Sequence, residues 1–156
     1  WEESKVMFDE DLALLRDNIT SIKDEFQEAL KLQNSKDCSR YWSRNDTESG
    51  QWNIFCFYNQ GSKMVDNCLQ CPKTCSIIEQ LPHFMKNCIF GNALFSVLHP
   101  GTTIAEHYGP SNLRIRCHLG EKSLKGNHQT IQLIYYRTGC TIQVCSNSGQ
   151  RGPFMD

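Results

Sequence analysis

Residues 113–119 alternate without interruption: Leu113, Ile115, Cys117 and Leu119 fall on one side, and Arg114, Arg116 and His118 on the other. A period of two admits an extended strand in a sheet whose two faces differ. Two arginines and a histidine in alternation make a concentrated cationic stripe, which is costly inside a barrel unless an anion neutralises it. The stripe therefore either looks at solvent, as one face of many antiparallel sheets does, or lines a cavity that holds an anion. In the second case a carboxylate is the expected ligand, because the planar guanidinium fork binds carboxylates bidentately. Spacing alone leaves both arrangements open.

The rest of the chain supplies helices first and short strands later. Leu12, Leu15, Ile19, Ile22, Phe26 and Leu30 recur at steps of three and four, which predicts one amphipathic helix over 9–31. Asp9 or Asp11 can cap its start. Residues 34–50 are polar and read as a loop with Asn45 at its exposed tip. Strands are expected at 52–58, closed by the turn Asn59-Gln60-Gly61, and at 93–99, turned by Pro100-Gly101. A short helix at 76–81 ends at Pro82. Residues 121–128 read as a loop, 130–136 and 141–144 as the last strands, and 146–156 show no period. With no β-α alternation and no glycine-rich phosphate loop, the pattern disfavours a doubly wound nucleotide fold. It predicts a mainly β chain with N-terminal helices, in a sheet, sandwich or barrel.

At 156 residues the chain has the length of one domain. Sixteen basic against seventeen acidic residues, a formal charge of -1, argue against a polybasic nucleic-acid binder. No window reaches the roughly 18 apolar residues of a membrane span. The first residue is Trp1 rather than Met, so an excised or processed piece is expected, with any signal or anchor upstream. Nine cysteines, an odd number that leaves at least one unpaired within the chain, lean towards an oxidising compartment. The glycosylation triplets Asn18-Ile19-Thr20 and Asn45-Asp46-Thr47 agree with secretory-pathway residence. In the tightest cluster, Cys68, Cys71 and Cys75, a zinc site would need improvised ligands from His83 and Cys88. A disulfide pinning a short loop through Pro72 is the favoured reading.

Residues 96–120, SVLHPGTTIAEHYGPSNLRIRCHLG, hold three of the five histidines, His99, His107 and His118. His107 lies in the turn Glu106-His107-Tyr108-Gly109-Pro110, a reasonable place for a metal ligand, although a lone histidine is more often structural. The usual iron-oxygenase pattern of two histidines and a carboxylate would put an acid two residues on, where Gly109 stands. Neither HExxH nor GxSxG occurs.

The stretch HPGTTIAEHYGPSNLRIRCHLG closely resembles the aspartyl/asparaginyl β-hydroxylase family, through HPGT, a histidine before GPSN, and RIRCHLG. Upstream, FYNQG at 57–61 and NCLQCPKT at 67–74 resemble its branch of aspartate beta-hydroxylase domain-containing proteins. The resemblance implies a double-stranded β-helix, or jelly-roll, dioxygenase that uses Fe(II), 2-oxoglutarate and oxygen. Its substrates would be Asp or Asn side chains of secretory-pathway proteins, in the endoplasmic reticulum lumen, on a protein anchored to the membrane outside this chain. It implies His107 as the first iron ligand and Ser96, Arg116 and His118 as 2-oxoglutarate contacts. Glycine in place of the carboxylate ligand is characteristic of the family, and Cys68 and Cys75 fall where a family disulfide would fall.

After Gly120 the pattern departs. The family would continue almost directly into a strand like 139–144, so 121–138 reads as an insertion within a single domain spanning 1–156. Beyond 150 the family pattern needs an F-D-D-S-F-x-H segment with the second iron ligand, and a further arginine, and neither precedes Asp156. The expectation is a domain incomplete at its C-terminal end, holding iron weakly and without turnover by itself. The alternative is a non-catalytic, oxygenase-like lumenal binding module.

Overall fold

The computed structural model describes the backbone of residues 2–105, 114–122, 128–136 and 144–145, and side chains for 8–105 and for Arg116, Cys117 and Leu119. Helices α1 (Glu2–Asp17) and α2 (Ile19–Lys31) lead into a short 3-10 turn and α3 (Cys38–Tyr41). Strands β1 (Ser43–Asn45), β2 (Trp52–Asn59) and β3 (Ser62–Lys63) follow, then α4 (Val65–Gln70) and α5 (Pro72–Gln80). The remaining strands are β4 (Ala93–Leu98), β5 (Arg114–Lys122), β6 (His128–Tyr136) and β7 (Val144–Cys145). They form one sheet in the order β1-β2-β4-β6-β5-β7, with β3 pairing β2. Every pairing is antiparallel except β5 with β7. The described sheet is open. The expected N-terminal helices and a mainly antiparallel sheet are present, with α4 and α5 falling between β3 and β4.

The expected single helix over 9–31 is two. Asn18 interrupts it, because its amide Nδ2 donates to the Leu14 carbonyl at 2.8 Å and competes with the helical ladder. The apolar stripe continues across the break: Leu15, Ile22, Phe26 and Ala29 are buried. Phe26 meets Phe95 edge-on at 4.9 Å, and Phe95 in turn packs against Phe57 at 4.8 Å. Aromatic pairs at this spacing add roughly 0.5–1.5 kcal/mol beyond the area they bury. The core therefore sits on one face of the sheet, where Phe55, Phe57, Ala93, Phe95, Val97, Cys117 and Leu119 point at the helices.

Residues 34–50 hold α3 and β1 as well as loop, and Asn45 ends an edge strand, half-buried, rather than tipping a loop. Trp42 anchors this stretch, its buried indole donating to the Ala29 carbonyl at 2.9 Å. The Gln60-Gly61 turn after β2 has positive φ at both residues, 51° and 78°. That is the twist a two-residue hairpin requires, and glycine is favoured at such positions.

The cysteine cluster is helical, not a pinned loop. α5 starts at Pro72, whose missing N–H is harmless at a helix start. The next two N–H groups, of Lys73 and Thr74, donate to the Glu25 carboxylate at 2.9 and 2.7 Å, so α2 caps α5. Cys68, Cys71 and Cys75 are thiols, so the bond expected between Cys68 and Cys75 is not formed. The Cys68 side chain instead shares a hydrogen bond with Cys75, which holds the Cys75 thiol below its ordinary range, helped by the Lys63 ammonium. The same hydrogen bond, with burial, pushes Cys68 far up. Among the described residues no group of three metal-ligating side chains forms, so the zinc reading finds no support there.

Asp11, expected as a helix cap, lies within α1 and is 0% exposed. The His83 Nδ1–H donates to its Oδ2 at 2.6 Å, and Phe8 stacks edge-on to the same imidazole at 5.2 Å. His83→Ala leaves that carboxylate with one long backbone partner, the His83 N–H at 3.4 Å. We expect a loss of about 1.5–3 kcal/mol, read as a lower urea midpoint with unchanged slope. Mild oxidation with diamide should join Cys68 to Cys75, a loss of two thiols from nine in denaturant, with the link located by peptide mapping. Because the thiolate attacks, that oxidation should persist to lower pH than an unperturbed thiol pair allows.

Candidate functional site

The face of the sheet turned away from the helices is set by register. Trp52 pairs with Leu98, Ile54 with Ser96 and Cys56 with Leu94. Across β4, Ser96 pairs with Thr130 and Leu94 with Gln132. Across β6, Thr130 pairs with Gly120, Gln132 with His118 and Ile134 with Arg116. Directly paired residues share a face. Ser96, Arg116 and the His118 position thus lie on one side, together with Trp52, Ile54, Cys56, Leu94 and Leu98. The described side chains of that stretch follow the alternation: Cys117 and Leu119 are buried towards the helices, and Arg116 is half-buried on the opposite side.

Ser96 is 6% exposed, and its Oγ accepts a hydrogen bond from the Trp52 indole Nε1–H at 2.9 Å. Trp52 is half-buried, as are Ile54, Cys56, Leu94 and Leu98, which form the apolar part of this face. Burial pushes the Cys56 thiol up to about 11, so it stays neutral and behaves as part of that wall. Sequence reasoning missed Trp52 and Cys56 as members of this face. Their period-two spacing with Ile54 carried the signal, but only the pairing of β2 with β4 brings it to Ser96.

Ser96 and the His118 position are not adjacent. β6 runs between β4 and β5, so their Cα atoms are two strands and two residues apart, roughly 12 Å for a flat sheet, and Arg116 is roughly 17 Å away. A lone carboxylate cannot touch both ends. An elongated diacid, met by a serine at one end and a long cationic side chain at the other, can.

The HPGT sequence has a structural role. Thr102 N–H donates to the His99 carbonyl at 3.2 Å, with Pro100 and Gly101 between them and Gly101 at φ 77°. That is a type II turn, with proline and glycine at the positions each suits. The Thr102 hydroxyl takes a hydrogen bond from the Gln51 N–H at 3.0 Å and so ties the turn to the start of β2. The His99 ring meets the Asn53 amide at 3.3 Å, at the end of the helix-facing side. The turn thereby fixes the direction in which the chain leaves β4 towards 106–113. His107 lies outside the described residues, as does the His118 side chain.

The family model for aspartyl/asparaginyl beta-hydroxylase matches residues 16–144. Aspartate beta-hydroxylase domain-containing protein 2 of Xenopus tropicalis is 43% identical over 121 residues, 78% of this chain and 32% of that protein. Its human counterpart is 43% identical over 116 residues, covering 74% of this chain and 31% of the relative. Human aspartyl/asparaginyl beta-hydroxylase is 35% identical over 103 residues, 66% of this chain and 12% of its own length. The chain therefore spans about a third of the domain-containing relatives it matches. With most of its length inside the family model, and with the sheet and turn that the shared motifs build, the chain belongs to the aspartyl/asparaginyl β-hydroxylase family.

Proposed function

We propose that this chain is part of a hydroxylase that uses Fe(II) and 2-oxoglutarate to oxidise Asp or Asn side chains of protein substrates. The observation that carries it is the two-ended sheet face turned away from the helices: a buried serine hydroxyl on β4 and a half-buried arginine on β5, separated by one strand. The donor set suits 2-oxoglutarate. Arg116 offers a planar fork for one carboxylate, the His118 position stands beside it, and Ser96 offers a hydroxyl for the other. Ile54, Cys56, Leu94 and Leu98 provide the apolar wall along the carbon chain and keep water from it.

The iron set rests on family membership. His107 is the residue this chain would contribute, and the family's second ligand comes from a sequence pattern that 1–156 does not contain. Iron with 2-oxoglutarate would supply the oxidising power; the chain's own residues bind and orient the diacid and exclude water. Closure of the sheet into a jelly roll belongs to the same proposal. So does residence in the secretory pathway, which the cysteine content and the Asn45-Asp46-Thr47 triplet support. The Asn45 side chain is half-buried at the sheet edge, next to exposed Asp46, whereas the Asn18 amide is engaged in the helix break.

Calorimetric titration of 2-oxoglutarate into the chain tests the reading. Arg116→Ala should weaken binding by about 1.5–3 kcal/mol, the usual worth of a charged hydrogen-bonding partner. Equal affinity in the variant contradicts the role. In the longest natural protein, His107→Ala should lower iron content and abolish succinate release coupled to a peptide substrate. If that protein binds 2-oxoglutarate and never releases succinate, it is the non-catalytic binding module instead.

A further inference from the structure

The two acceptor triplets for N-linked glycans meet different surroundings in the fold. Glycans are bulky and belong on surface loops, so the amide that carries one must stand clear of packing. At Asn18 it does not. The Asn18 Nδ2, the atom that would bear the sugar, donates to the Leu14 carbonyl at 2.8 Å. The backbone around it stays in helical register, with the Asn18 N–H donating to Leu14 at 3.3 Å and the Ile22 N–H to Asn18 at 3.1 Å. Ile19 packs against the core, and Thr20 is wound into α2.

At Asn45 the triplet leaves the sheet. Asn45 closes β1, the outermost described strand on its side, and Asp46 and Thr47 follow outside any helix or strand. Asn45 is half-buried, Asp46 is exposed, and the loop stays exposed from Glu48 to Gly50. Among the described residues the Asn45 side chain makes no hydrogen bond. The backbone on either side is nonetheless fixed: Asn45 pairs with Trp52, and the Glu48 N–H donates to the Thr103 carbonyl at 3.1 Å. Direct pairing with Trp52 puts Asn45 on the side of the sheet away from the helices, so a sugar there leaves the aromatic core untouched.

We propose that Asn45 is an N-glycosylation site and that Asn18 is not. The proposal rests on the secretory-pathway reading above, because the donor, an oligosaccharide on a lipid diphosphate, is met in that compartment. The bond formed joins Asn45 Nδ2 to the first carbon of the sugar. The bond broken is the sugar's link to the diphosphate, which leaves with the bonding electrons while Nδ2 gives up one proton.

The test takes the longest natural protein from animal cells and removes its N-linked sugars with a peptide amidase in heavy-oxygen water. That treatment converts a glycosylated Asn to an Asp marked with the heavy isotope. The peptide spanning Asn45 should carry the mark in most copies, and the peptide spanning Asn18 should carry none. Thr47→Ala should abolish the mark, whereas Thr47→Ser and Thr20→Ala should keep it. A mark at Asn18, or one at Asn45 that survives Thr47→Ala, overturns the proposal. Lys36→Thr separates a wrong site from a wrong compartment, since it turns exposed Asn34 into an acceptor in the same domain. If Asn34 is marked in that variant while Asn45 is bare, the Asn45 site is wrong and the residence stands. If both are bare, the secretory-pathway reading fails and takes the site with it.

Discussion

The packing of Phe26 from α2 onto Phe95 of β4 decides which side of the sheet is core, and the rest of the molecule is arranged around that choice. Phe55 and Phe57 join Phe95 from the neighbouring strand, and Trp42 closes on Phe55 at 5.3 Å. Once these rings commit one face to the helices, period two commits the other face to whatever lies between them in sequence. That remainder is Trp52, Ile54 and Cys56 on β2, and Leu94, Ser96 and Leu98 on β4. On β5 it is Arg116 and the His118 position. The face that carries Ser96 and Arg116 is thus a by-product of the aromatic core: a one-residue slip of β4 would bury Ser96 among phenylalanines and turn Phe95 outward.

Helices that serve this packing are held by polar contacts at their ends. Glu25 reaches from α2 to cap α5, and Asp11 reaches from α1 to the turn after it through His83. Neither is a surface ion pair of the kind that contributes little. The carboxylate of Asp11 has no exposure and Glu25 satisfies backbone donors that a helix start always leaves open. These contacts fix the depth at which α1, α2 and α5 sit on the sheet.

Much of this was legible in the residues, for reasons that differ along the chain. The alternation in 113–119 and the short apolar run of β4 survive because tertiary packing reinforces the period already present. The helix stripe survives too, but its break at Asn18 does not show in periodicity, since Leu15 and Ile22 stay in phase across it. α3 and β1 were hidden in a polar stretch, because their order comes from Trp42 and the neighbouring strand rather than from local pattern. The cysteine cluster misled in the opposite direction: three thiols and a proline suggest a staple, while Pro72 and the distant Glu25 build a helix start. Local pattern marks Trp52 as a strand residue only, because its partner is 44 positions away.

The place of β6 gives the face turned away from the helices its dimensions. It pairs along its whole length with β5 and over six residues with β4, so the strand expected at 130–136, within the stretch read as an insertion, takes a central place in the described sheet. A strand in that slot sets the separation between the serine end and the cationic end at two inter-strand steps, roughly 10 Å across the sheet. On the proposed reading, backbone pairing sets the length of diacid this face would hold, and the side chains of β4 and β5 choose only its charge and its two ends.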